Sequence, residues 1–208
     1  MTGYWVSVVT EDWRFRMVTP PKGNYSGVPL NAEGRKLADT WDPAKDEAAG
    51  NQCRSYGAPG LMRVPGRLHI TWDDDTTMKI ETDAGTQTRV FHFGGKEAQT
   101  GESSLQGFSA AEWEMAATGR GQPKAGNLKV VTTHLLPGYL RKNGVPYSAN
   151  TVLTEYWDRI GAPNGDEWLV VSTEVRDPQY LSSPFITSTH FKKQPDAEGW
   201  MPEACSAR

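Results

Sequence analysis

The stretch TVLTEYWDRIGAPNGDEWLVVSTEV, residues 151–175, sets two runs of strand-forming residues on either side of Pro163-Asn164-Gly165-Asp166. β-Branched and aromatic side chains fill both flanks, and Pro, Asn and Gly supply the backbone angles of a tight reversal. The spacing predicts an antiparallel hairpin of Thr151–Ile160 with Glu167–Val175. Further strands are read on both sides of it at Asn127–Leu136 and Phe185–Lys193. Arg67–Trp72, Thr77–Thr82 and Thr86–Phe93 form an earlier meander, turned at Asp73-Asp74-Asp75 and Asp83-Ala84-Gly85.

Tyr4–Val9 opens the chain as a strand, and the aromatic-basic alternation of Asp12–Val18 predicts a second. Phe108–Met115 is a strand-like island in a polar, glycine-rich region that runs from Gly94 to Gly126. Two short helices are expected, one over Asn31–Thr40 with Asn31 as its cap and one over Ala44–Ala49 after Asp42-Pro43. Cys53–Gly66, rich in Gly and Pro, reads as an ordered loop. About ten strands joined mostly by short connections predict one antiparallel up-and-down β-barrel over residues 1–208. A sandwich is the alternative; closure removes exposed edges and favours the barrel.

The chain carries 22 basic and 25 acidic residues, a formal charge of −3, with no block of like charge. Nucleic acid is therefore not an expected partner. No apolar run approaches the roughly 18 residues of a membrane helix. Thr2-Gly3-Tyr4-Trp5-Val6 begins strand-like at once, with no charged or apolar leader before it, as a natural start or a chain relieved of an export signal would. Cys53 and Cys205 are either a disulfide across a very long loop or two buried thiols. Their Gly-, Pro- and Ser-rich surroundings favour the disulfide and an extracytoplasmic home, periplasmic or secreted.

The motif order resembles a known family. Thr2-Gly3-Tyr4-Trp5, Asp42-Pro43 ahead of Cys53, and Arg89-Val90-Phe91-His92-Phe93 come first. Leu153-Thr154-Glu155-Tyr156 and Asp177-Pro178-Gln179-Tyr180-Leu181 before Pro184-Phe185 follow. Together they are similar to uncharacterised secreted bacterial proteins with a lipocalin-like barrel. The resemblance implies a calycin-type barrel of eight to ten strands with an internal cavity, and an export signal cleaved from the precursor. It implies no catalytic residues.

All four histidines, His69, His92, His134 and His190, fall in strand-like segments. Strand side chains alternate between faces, so the positions of the turns decide which residues meet. Turns centred on Asn143, on Pro163-Asn164 and on Tyr180 put His134, Glu155, Trp157, Trp168, Glu174 and His190 on one face. Two imidazoles and two carboxylates in a cavity would suit a divalent metal, zinc first, with His69 or His92 as a further ligand. Glu155 or Glu174 would then serve as general acid or base, in a hydrolase or lyase acting on a small molecule. If that face is the exterior, the same residues are ordinary cross-strand pairs.

The alternative function is non-catalytic binding of a small apolar or ring-bearing ligand between Trp157, Trp168 and neighbouring aromatics such as Tyr156. Arg141 and Lys142, in Gly138–Gly144 at a barrel mouth, could clamp an anionic ligand. One of Arg14 and Arg16 could enter the cavity as a counter-charge. A homodimer is compatible with the sequence. No Gly-x-Ser-x-Gly elbow supports serine catalysis.

Overall fold

The computed structural model describes residues 1–95, 103–115 and 126–208. In chain order its strands are β1 (Gly3–Val8), β2 (Arg67–Asp74), β3 (Thr77–Thr82), β4 (Thr88–His92), β5 (Phe108–Met115) and β6 (Gly126–Thr133). Then come β7 (Gly138–Arg141), β8 (Val145–Tyr147), β9 (Val152–Gly161), β10 (Glu167–Arg176) and β11 (Phe185–Lys193). Nine of these close into a barrel in the order β1-β11-β10-β9-β6-β5-β4-β3-β2, and β7 and β8 pair separately.

The sheet is mixed, where a purely antiparallel one was expected. β5 runs parallel to β4, with Phe91 beside Ser109 and His92 beside Ala110. β5 therefore starts at the same barrel end as β4, an arrangement that hairpins alone cannot make.

The other departures lie between β1 and β2. Asp12–Val18 does not form a strand: Asp12 takes a left-handed conformation (φ 49°) and starts the single helical turn α1 (Trp13–Arg16). Asp tolerates that region better than most residues, and the turn lets Phe15 and Arg16 both face inward despite being adjacent. α2 (Ala32–Ala38), capped by the Asn31 side chain on the Gly34 N–H, and α3 (Pro43–Ala48), capped by Asp42 on Ala44, lie where the sequence puts them. Cys53–Gly66 is more regular than a loop. It holds a 3₁₀ turn (Gln52–Tyr56) and α4 (Ala58–Leu61).

All of these insertions sit at one end of the barrel. Val6 pairs with Arg67, Thr132 with Leu153 and Val175 with Phe185, so residues 9–66, 134–151 and 177–184 leave and rejoin the barrel at that end. Their apolar side chains, among them Tyr25, Leu30, Leu140 and Tyr147, join Val175 and Phe185 at the strand ends in a second core that caps the barrel. The barrel core proper is filled by Trp5, Ile70, Ile80, Phe91, Trp157 and Phe191, each 0–1% exposed. Large side chains thus occupy the space that a hollow calyx would leave open. At the opposite end the inward face runs out in Trp72, Phe93 and Trp113, with successive ring centroids 5.0 and 6.0 Å apart.

Cys53 and Cys205 form a disulfide across 152 residues and fasten the C-terminal segment to the capped end. Beside it, Glu203 donates its N–H to the Asp83 carbonyl at 2.9 Å, and the Thr86 hydroxyl donates to the Glu203 carbonyl at 2.9 Å. Among the described residues no helix is long and apolar enough to cross a membrane.

Candidate anion-binding pocket

The expected histidine-carboxylate face does not assemble, because β9 and β10 pair one residue away from the expected register. Thr173 lies opposite Glu155 and Val171 opposite Trp157. A one-residue shift moves every side chain of one strand to the other face. Leu153, Glu155 and Trp157 therefore point inward with Leu169, Val171 and Val175, while Trp168, Ser172 and Glu174 point outward with Ser188 and His190.

The four histidines are dispersed over the outside. His69 stacks on Tyr4 at 4.1 Å and contacts Glu81 through Nδ1 at 3.2 Å. His92 stacks on Phe108 at 4.8 Å. β6 ends at Thr133, and His134 is left-handed (φ 57°), which turns its exposed ring off the strand face. His190 Nδ1 lies 3.2 Å from Glu11 Oε2. Glu174 pairs with Arg176 on the exterior, and half-buried Tyr156 lies opposite Ser172 and Lys129. Among the described residues, no group of three or more His, Cys, Asp or Glu side chains gathers so as to hold a metal ion.

Glu155 is enclosed in the barrel with Arg89, both 0% exposed, and Thr132 and Ser109 extend this polar pair. Trp157 packs edge-on to Phe91 at 5.3 Å. Both side chains are part of the packed interior.

Arg141 stands elsewhere. It lines a cavity of about 350 Å³ at the capped end, between α1, the segment after α4, β7 and the tail fastened by the disulfide. Arg16 and Arg63 line it as well, with Phe15 and Leu140 beside them and Lys142 at the margin. The volume lies within the range of small-molecule sites.

Two of the three arginines have acidic partners from the residues leading into α1. Arg16 pairs with Glu11, donates from Nε to the Arg63 carbonyl at 2.9 Å, and reaches Ser7 Oγ at 3.2 Å. Arg63 Nη2 donates to Asp12 Oδ2 at 3.1 Å, while its buried Nη1 has no partner among the described residues. Arg141 has no carboxylate within ion-pair distance among the described residues. Its Nη1 donates to the Ser26 carbonyl at 2.7 Å, its Nε is buried without a partner, and its Cζ lies over the Phe15 ring at 4.3 Å.

The electrostatics follow from this arrangement. Burial, reinforced by the charge of Arg63 and opposed by Asp12, pushes the Arg141 guanidinium down to about 10. Burial also lowers Arg16, against the pull of Glu11, and Arg63, against the pull of Asp12. All three stay cationic at neutral pH. A desolvated cation with unused donors binds oxyanions strongly, because its charge is little screened and its N–H groups gain partners they otherwise lack.

Sequence reasoning found Arg141, Lys142 and, as an alternative, Arg16. It missed Arg63, Glu11 and Asp12. The available signal for Arg63 was a lone charge in the apolar run Leu61-Met62-Arg63-Val64-Pro65. No family model, curated protein or solved structure matches the chain.

Proposed function

We propose that this protein binds a small molecule bearing an acidic group in the pocket at the capped end of the barrel, with Arg141 as the principal contact. One observation carries this reading: a buried guanidinium lines a cavity and has no carboxylate within ion-pair distance among the described residues. Burying an unpaired charge is costly, and folds retain such groups where a ligand completes them. Arg63 and Arg16 add positive potential, and their own acidic partners hold them in position.

Work outside the cytosol suits the same reading, since disulfides persist in oxidising compartments. The Cys53–Cys205 bond fastens the segment carrying Glu203 and Ala204, which form part of the pocket wall.

The test is isothermal titration of the disulfide-intact protein with small organic and inorganic anions, alongside the Arg141→Met variant. Saturable binding by the natural sequence and its loss in the variant are expected. Equal binding by both proteins would overturn the assignment to this pocket.

A further inference from the structure

We infer that the ligand is a monocarboxylate carrying an apolar body. This inference rests on the anion-binding reading and narrows it by charge, by donor geometry and by the apolar surface next to the pocket.

The charge balance comes first. Arg16 is answered by Glu11 and Arg63 by Asp12, and at the rim Arg208 lies 3.7 Å from Glu47. Of the other charges that line the cavity, Lys142 donates to the Arg208 main-chain oxygen at 3.2 Å and Glu203 is exposed to solvent, so Arg141 is the one buried lining charge with no ion-pair partner among the described residues. One buried positive charge is completed by one negative charge. A phosphate dianion would bring a second negative charge into the same desolvated space, at a cost that no further buried cation offsets.

Donor geometry agrees. A guanidinium presents its N–H groups in its own plane, and the Ser26 carbonyl already takes Nη1 at 2.7 Å. The partial negative charge of that oxygen disfavours an anion at the same edge. Nε has no partner among the described residues and lies beside Nη2, so this edge is the two-donor fork a ligand would engage as the buried Nε opens to the cavity. A planar carboxylate fits such a fork with two parallel hydrogen bonds.

The third argument is independent of charge. Met17 and Val18, which follow α1, line the same cavity and are 59% and 66% exposed. Two adjoining apolar side chains left open beside a buried cation form an amphipathic site. A ligand with its carboxylate at Arg141 and a short apolar or aromatic body across Met17 and Val18 would cover both, and burial of that surface adds affinity in proportion to its area.

The experiment uses the full disulfide-bonded chain and titrates octanoate, benzoate, acetate, octanamide and inorganic phosphate by calorimetry. Octanoate and benzoate are expected to bind most tightly. Octanamide, which lacks the charge, should be weaker by about tenfold to a hundredfold, the range for losing a charge-assisted pair of hydrogen bonds. Met17→Ser and Val18→Ser, both at exposed positions, should weaken octanoate severalfold and leave acetate unchanged.

Phosphate binding as tightly as octanoate would overturn the carboxylate inference and leave the anion site standing. Acetate binding as tightly as octanoate would overturn the apolar body. Failure of every anion to bind would remove both this inference and the reading on which it rests.

Discussion

Arg89 and Glu155 meet fork to fork inside the barrel, Nη1 to Oε1 at 2.9 Å and Nη2 to Oε2 at 2.5 Å, and neither side chain reaches solvent. By the shorter way round the barrel β5 and β6 lie between β4 and β9, so the pair bridges the interior between residues 66 apart in the chain. Removing one partner strands the other's charge. Glu155→Gln or Arg89→Met alone is expected to cost about 3–5 kcal/mol in urea unfolding, whereas the double change Arg89→Met with Glu155→Leu should cost far less. Equal losses in single and double variants would contradict an energetically coupled pair.

Arg141 should weaken the fold that it equips for binding. Its folded-state value of about 10 lies below the ordinary arginine range. Between the two the unfolded chain holds the proton more firmly than the folded one. This group therefore makes stability rise as pH climbs from about 10 towards the ordinary arginine range, and it destabilises the folded state at every lower pH. Arg141→Met, similar in length and uncharged, is expected to raise stability at neutral pH by about 1 kcal/mol, measured by thermal unfolding without ligand.

Carboxylate affinity is expected to stay flat between about pH 6 and about pH 9, since a guanidinium at about 10 keeps its proton across that interval. It should fall as the pH passes through 10. A step near pH 6.5 would instead implicate a histidine.

The β7–β8 turn that presents Arg141 depends on Gly144. Its φ is +79°, and a Cβ there would lie 2.2 Å from Trp41 Cβ. Gly144→Ala combines backbone strain with a clash, and a loss of about 2–3 kcal/mol is expected by chemical denaturation. Weaker anion binding should accompany it.

Reduction of Cys53–Cys205 should act on stability and on the pocket together. For a 152-residue loop the chain-entropy account gives at most about 5 kcal/mol, and a Cys53→Ser, Cys205→Ser variant is expected to lose about 2–5 kcal/mol. Anion affinity should fall too, because Glu203 and Ala204 belong to the wall that the bond fastens. Unchanged affinity in the reduced protein would show that the wall stands without it.

Most of the strands were legible because their patterns are local. β3, β5 and β11 begin and end where the sequence places them. The faces were less legible, and the hairpin of residues 151–175 shows why. The sequence suggests a turn centred between Pro163 and Asn164. The structure pairs Gly161 with Glu167 across a five-residue loop centred on Asn164, in which Gly165 is left-handed (φ 86°) and donates to the Ala162 carbonyl at 3.0 Å. Half a residue at the centre of symmetry amounts to one residue of register. Glu155 and Glu174 thereby came to lie on opposite faces.

The pocket was hidden for a different reason. Arg16, Arg63 and Arg141 are far apart in the chain, and only the docking of α1, α4 and β7 on one barrel end brings them together. No local periodicity encodes that meeting. The helical turn at Asp12 was hidden as well, because Trp13-Arg14-Phe15-Arg16 has the alternation of a strand.

β1 lies between β2 and β11, with Trp5 beside Leu68 on one side and Lys193 on the other. During synthesis the first strand finds its nearer neighbour only after some sixty residues, and its second only when β11 has followed, some 180 residues on. Until then the barrel is an open sheet with two raw edges, slow to finish because its last seam joins the most distant segments. Completion therefore waits for β11, and every strand made before it must hold its register beside an edge that is still unsealed.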